Sequence, residues 1–359
     1  MLAKGGKGVR ILRVGAASLC GLMMLTMIGI GQTGAQAPKT VRPTAVAVTG
    51  CGSAIKGKTY HIAMVTAVVS NVFYLTMRNG ANLVAKQINK QCGVKIQMSY
   101  QGAADFTASS EMPVLSSLLA KPVDALLVVP ADLQGLNVPL KEFAAKGVPI
   151  ITLDTTSSDK AILASAITSD GFGGGKQGAQ LIGAFAHGKG VVAVNSITAG
   201  VTTTDQRVAG FLAGIKKFPG IKVLPTQYNN FSIPKADSQV GAELLANPKL
   251  VGVFCANETG GEGGGAAVVA AGKKGKVEIV AFDADIPEVP LLKNGTITDL
   301  IIQRPGYEGQ LGMRYAFDML TGQKRLVPKK VTLANIVATT KNASSPMVTK
   351  YYYTATNND

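Results

Sequence analysis

Residues 60–74 read YHIAMVTAVVSNVFY, an apolar run that stops at Ser70-Asn71 and then presents two aromatic rings. A run this rich in Val, Ile and Ala predicts a strand buried on both faces. The LTMRNGANLVAKQIN that follows spaces its apolar side chains as a helix does, so Ser70-Asn71-Val72-Phe73-Tyr74 sits where a strand hands over to a helix. In an open α/β sheet that corner is where ligands bind. An amide beside two rings suits a molecule with hydroxyls on its edge and C–H bonds on its face, the surface a sugar presents. The plainer reading, that Phe73 and Tyr74 close the core, stands beside it at this point.

Outward from this corner the same alternation repeats as far as Leu320. Strands are expected over 60–69, 94–100, 125–129, 148–153, 164–168, 190–195, 221–228, 250–255, 277–281 and 297–302, with helical patterns between them. That order defines an α/β chain with parallel, doubly wound sheets. GVPIITLDTT from Gly147 and KVEIVAFDAD from Lys276 echo each other, each a β-rich run closing on an Asp, which suggests two similar halves.

Polar residues recur at the expected strand ends while the interiors stay apolar: Asn71, Asp132, Asp154-Thr155, Asp170, Ser196, Asn257-Glu258, Asp283 and Gln303-Arg304. All carboxyl ends of one parallel sheet share an edge, so two such domains facing each other would line a cleft with hydrogen-bonding groups. Individual members carry structural readings as well. Asp170 can cap the helix that follows it, and Asp205 in TTTDQR can cap the helix it opens.

The first 13 residues carry Lys4, Lys7, Arg10 and Arg13 with no acid, and residues 14–31 are uncharged and apolar. This predicts a secretory signal peptide over 1–37, ending at the small-x-small Ala35-Gln36-Ala37, with residues 38–59 as a linker. A second exit, VTGC ending at Cys51, resembles a lipoprotein box and makes a lipid anchor at Cys51 the second choice. Without the four leading cations, the balance is 32 Lys+Arg against 21 Asp+Glu, a net of +11. The cations are scattered over helix ends and turns, so a solvated surface is expected rather than a nucleic-acid site. Cys51 precedes the first strand and Cys92 follows the first helix, so both lie at one end of a βα unit and are expected to pair. Cys255, inside a strand pattern, reads as an apolar filler.

No catalytic or metal constellation is expected. His61 falls within the first strand and His187 at a helix terminus, neither with a nucleophile or metal partner. Gly173-x-Gly175-x-x-Gly178 fits a dinucleotide fingerprint in form, yet the next strand, VVAVNS, ends without the acid that would hold a ribose. No cofactor is expected, and the chain is read as a non-enzyme.

Several motifs together resemble the periplasmic sugar-binding proteins of ABC transporters in the ribose-binding group: SNVFY, GVPIITLDTT, SDGFGGGKQGAQLIG, TTTDQRVAGF, NPKLVGVFCANE, VEIVAFDA, LLKNGTITDLIIQRP and residues 307–322. The resemblance spans residues 60–322. It implies two Rossmann-like lobes of the type I periplasmic binding fold joined by a three-strand hinge, with residues 60–168 and 304–329 in one lobe and 169–303 and 330–359 in the other. Phe73 and Tyr74 resemble the rings on one sugar face and Phe231 the ring on the other, while Asn71, Asp154, Asn257, Asp283 and Gln303 match hydroxyl-binding positions. The family's ribose binders carry arginine where this chain has Thr155 and Asp205. Those two departures predict that ribose is a poor ligand and that a hexose or open-chain polyol is preferred.

The expected function is capture of a monosaccharide or polyol in the interlobe cleft by a periplasmic monomer, and its delivery to an ABC permease. Three other classes stand beside it: a sensor presenting its closed form to a chemoreceptor or kinase and the effector domain of a lactose-repressor-type regulator, both built from the same lobes, and an enzyme of Rossmann type. The leader and the missing helix-turn-helix disfavour the regulator. The missing cofactor acid disfavours the enzyme.

Overall fold

The computed structural model describes residues 46–353; the expected signal peptide and its cleavage site lie outside them. The first strand, β1 (Thr59–Thr66), is followed by α1 (Val72–Cys92), which starts where the Asn71 side chain accepts the Phe73 N–H at 2.8 Å. The helix ends at Gly93, whose φ of 65° lets its N–H turn back to Asn89 O. The chain continues through β2 (Lys95–Gly102), α2 (Ala108–Leu118), β3 (Ala125–Val128), α3 (Asn137–Ala145), β4 (Ile150–Leu153) and β5 (Leu163–Ser169). These strands pair in parallel in the order β5-β4-β3-β1-β2.

A second α/β lobe follows: α4 (Gly171–Phe185), β6 (Lys189–Ser196), α5 (Thr202–Ile215), β7 (Gly220–Val223), β8 (Gln227–Tyr228), α6 (Ile233–Ala246), β9 (Leu250–Cys255), α7 (Glu258–Ala270), β10 (Glu278–Phe282), α8 (Glu288–Lys293) and β11 (Asp299–Ile302). Its sheet runs β11-β10-β9-β6-β7, with β8 beside β6. The chain then returns to the first lobe as α9 (Pro305–Leu320), which packs along α1. The helices touch backbone to backbone. A methyl group on Gly80 would run into the Gly306 carbonyl, and one on Gly309 into that of Met77.

Two short strands close the sheets. β12 (Lys330–Leu333) joins β5 in parallel, and β13 (Ile336–Thr339) pairs antiparallel with β11, followed by α10 (Pro346–Thr349). The chain therefore passes between the lobes three times: after β5, after β11 and after β12. The expected division put residues 330–359 wholly in the second lobe, whereas β12 hydrogen-bonds to the first sheet. Both strands have four residues and lie at sheet edges, so no long apolar run announces them. The expected strand over 221–228 is two, β7 and β8.

Cys51 and Cys92 form a disulfide with Cα atoms 5.5 Å apart, tying the segment ahead of β1 to the end of α1. With its sulfur in the bridge, Cys51 has none left for a lipid thioether, so the second-choice anchor is not compatible with this structure. Cys255 is free and buried. No helix among the described residues is long and apolar enough to cross a membrane.

Candidate ligand-binding cleft

The carboxyl ends of the two sheets face a common cleft lined by side chains from both lobes. Little free space remains inside it, about 30 Å³, room for about one water, so the lobes are closed over the site and must part to admit a sugar. From the first lobe, β1 delivers Asn71, Phe73 and Tyr74, and β4 delivers Asp154. From the second come Asn257 and Glu258 after β9, Asp283 after β10, Gln303 after β11, and Phe231 between β8 and α6.

Asp154 and Asp283 occupy matching places in the echoed segments, and both backbones are left-handed, at φ 58° and 85°. A non-glycine residue in this region stores strain, and such residues cluster at functional sites. Asp283 is held from several sides: its Oδ1 accepts Gln303 Nε2 at 2.7 Å and the Tyr353 hydroxyl at 3.0 Å, and its Oδ2 is 3.6 Å from Arg207 Nη1. Arg207 also donates to Ala256 O at 2.8 Å and lies over the Phe282 ring at 4.2 Å. In contrast, Asp154 Oδ1 and Gln303 Oε1 are buried acceptors without a partner, and Arg207 Nε is a buried donor without one. Unpaired buried polar atoms cost free energy, so the site is complete only when something supplies those bonds.

Three carboxyl groups share the cleft with one guanidinium. Burial, opposed by Arg207 and reinforced by Asp283, pushes Asp154 up to about 7. Burial and then the Asp283 charge raise Glu258 well above the usual carboxylate range. Glu258 Oε1 accepts Asn71 Nδ2 at 3.1 Å, a hydrogen bond between the lobes. Behind Asp154, Glu308 at the start of α9 accepts the Ser169 hydroxyl at 2.9 Å and is itself raised by burial. A cleft of this kind offers acceptors to hydroxyl donors and, through its neutral acids, donors in return.

The rings are ordered as well. Phe73 and Tyr74 meet edge to face at 5.1 Å, and Phe73 meets Tyr353 at 5.5 Å. Phe231 has φ 59°, its N–H bound at 2.8 Å by Asn229 Oδ1; the Asn229 amide in turn reaches Asn195 at 2.6 Å and Asn257 at 3.2 Å.

Two expected site residues are elsewhere. The Thr155 hydroxyl donates to Pro130 O at 2.6 Å, away from the cleft, and Asp205 Oδ2 accepts the Gly200 N–H at 2.9 Å, closing the turn that opens α5. Conversely Phe106, Ile197, Val201 and Thr203 line the cleft unforeseen, as do Thr204 and Arg207, for which the sequence suggested only a structural role at the start of their helix. Helical spacing could have found some of them: Thr203, Thr204 and Arg207 are three and four residues apart and share a face, which Asp205 does not. The case against ribose built on Thr155 and Asp205 therefore loses its footing, because a guanidinium reaches the pocket from Arg207.

Two lobes that meet over a polar, ring-lined pocket, linked by three chain passages, define a binding protein that encloses a small molecule. The chain belongs to the periplasmic binding protein family, whose domain matches residues 62–324. It is 28% identical over 293 residues to the D-ribose/D-allose-binding protein of Pseudomonas aeruginosa, covering 78% of this chain and 90% of that one. The D-allose-binding periplasmic protein of Escherichia coli is 27% identical over 265 residues, 71% of this chain and 83% of the relative. Among solved structures, an ABC transporter solute-binding protein from Agrobacterium vitis bound with α-D-tagatopyranose superposes with a TM-score of 0.78 at 38% identity, over 82% of this chain and 99% of that one. Another from the same organism, with bound D-fucose, gives 0.76 at 25% identity over 82% and 100%.

Proposed function

We propose that this protein is a secreted solute-binding receptor that captures a monosaccharide or polyol in the cleft and delivers it to an ABC permease. The observation that carries the reading is the pairing of left-handed Asp154 and Asp283 across a ring-lined pocket with unpaired buried acceptors at Asp154 Oδ1 and Gln303 Oε1. These atoms ask for a ligand with several hydroxyl donors on its edge. Phe73, Tyr74 and Phe231 supply apolar faces for its C–H bonds. The named sugars of the relatives, D-ribose, D-allose, D-tagatose and D-fucose, all have this character.

Asn71, Asn257, Asp283 and Gln303 serve as hydroxyl partners in this reading, with Asp154 and Glu258 beside them and Arg207 facing a ring or hydroxyl oxygen. The three passages between lobes act as a hinge, and the closed form with ligand is the one a permease engages. The leader over 1–37 directs export. The role is capture and release, without chemistry on the sugar.

A thermal-shift screen over D-ribose, D-allose, D-tagatose, D-fucose and D-arabinose tests the reading, since a ligand bound only by the native state raises Tm by mass action. At least one sugar should raise Tm by several degrees at millimolar concentration, confirmed by calorimetry at one site per chain. No shift across the panel and a wider set of hexoses and polyols would overturn it.

A further inference from the structure

We propose that Phe106 is a further ligand-determining residue of this cleft: with Phe231 it forms a ring gate across the pocket mouth that slows release of the bound sugar. The proposal rests on the sugar-binding reading above and extends it to a residue in none of the sugar-binding motifs. Phe106 comes from the loop between β2 and α2 in the first lobe, and Phe231 from the loop between β8 and α6 in the second. Their centroids are 5.9 Å apart and their planes 27° from parallel. Both line the pocket. Both are only half-buried, while Phe73 and Tyr74 are 6% and 4% exposed, which puts the Phe106–Phe231 pair on the outer side of the site and the other rings on its floor.

Each ring is held in place. Asn230 and Phe231 are consecutive non-glycine residues in the left-handed region, at φ 54° and 59°, a conformation kept by the buried Asn229 side chain through its bond to the Phe231 N–H. On the other side, Ala103 N–H donates to Thr66 O at 3.1 Å, and Thr107 donates to Asp105 at 2.6 Å and accepts the Ser110 N–H at 3.2 Å, so the short segment carrying Phe106 is tied at both ends. The ring contact exists only when the lobes are together. Its loss therefore weakens the closed form while removing only a half-buried ring at the margin of the core, and appears chiefly in the dissociation rate. Aromatic pairs of this geometry correspond to a factor of about 2 to 12.

The test is stopped-flow binding, read by tyrosine fluorescence because the chain has no tryptophan, with D-ribose, D-allose and D-tagatose as probes for wild type, Phe106→Ala and Phe106→Tyr. Phe106→Ala should release bound sugar about three to ten times faster with association within about twofold of wild type, and Phe106→Tyr should release it at close to the wild-type rate. The sugar-free Tm of Phe106→Ala should stay within about 2 °C of wild type. An unchanged dissociation rate in Phe106→Ala, or a fall in Tm without faster release, overturns the gate while leaving sugar binding intact. A wild type that binds none of the probes or any other sugar overturns both.

Discussion

Asp154 and Asp283 are 129 positions apart in the chain, yet each ends its strand in the left-handed region, at φ 58° and 85°, and each carries its carboxyl into the same pocket. Two α/β lobes thus present the same strained strand end to one ligand. The strain is affordable because the neighbourhood fixes it: Asp283 N–H bonds to Ile301 O at 3.0 Å, and three side chains surround its carboxylate.

Asp283→Asn should lower sugar affinity at least tenfold, since asparagine tolerates this backbone but loses the charge-assisted bonds, worth about 1.5–3 kcal/mol. It also leaves the buried Arg207 without its counter-charge, which lowers stability as well. Calorimetry on the variant decides it. Unchanged affinity would place the sugar away from Asp283.

Tyr353 is the second target. Its hydroxyl donates to Asp283 and accepts the Gln303 N–H at 3.0 Å, so Tyr353→Phe leaves a buried N–H without its acceptor and Asp283 one bond short. We expect a stability loss of about 1–3 kcal/mol and weaker sugar binding. Urea melts and titration of the same sample measure the two effects, and wild-type values for both would dismiss Tyr353 as mere filling.

Stability should depend on pH through Glu111. Its Oε2 accepts Ala131 N–H at 2.8 Å while Oε1 has no partner, and burial pushes the carboxyl from 4.5 up to about 8. The folded chain keeps a proton that the unfolded chain releases above about 4.5, so this contribution is fully present below that pH and is lost as pH climbs toward 8. Tm of the sugar-free protein should be higher at pH 5 than at pH 8, with a shallower slope in Glu111→Gln. Equal slopes in the two proteins would show that Glu111 titrates normally.

The Cys51–Cys92 bridge spans a sequence separation of 41, and the chain-entropy account puts its contribution at roughly 3–4 kcal/mol. Reduction should lower Tm markedly but leave the described cleft residues in place, because neither cysteine lines it. Sugar affinity of the reduced protein at low temperature should match that of the oxidised one. A large affinity loss would couple the bridge to the cleft.

Sequence reading found the central strands because each is a dense apolar run, and it found Asp154 and Asp283 because a charged residue interrupts such a run at its end. It passed over β12 and β13, whose edge positions call for no continuous apolar segment. Arg207 was hidden behind Asp205: only the helical phase separates the side chain turned to the cleft from the one that closes a turn at the surface. Phe106 gave no signal at all. It stands alone in a polar loop, and its importance comes from a ring in the other lobe.

The last described residues have a consequence for the order of assembly. Tyr353 is needed to brace Asp283, and β12 and β13 finish the edges of the two sheets, so a chain emerging from its amino end holds Asn71, Phe73 and Tyr74 long before it can form a working pocket. Sugar cannot select the fold of a growing chain; it can only stabilise a finished one. A fusion or truncation that disturbs residues 346–353 would therefore act on ligand affinity from outside the cleft, alongside the stability it costs.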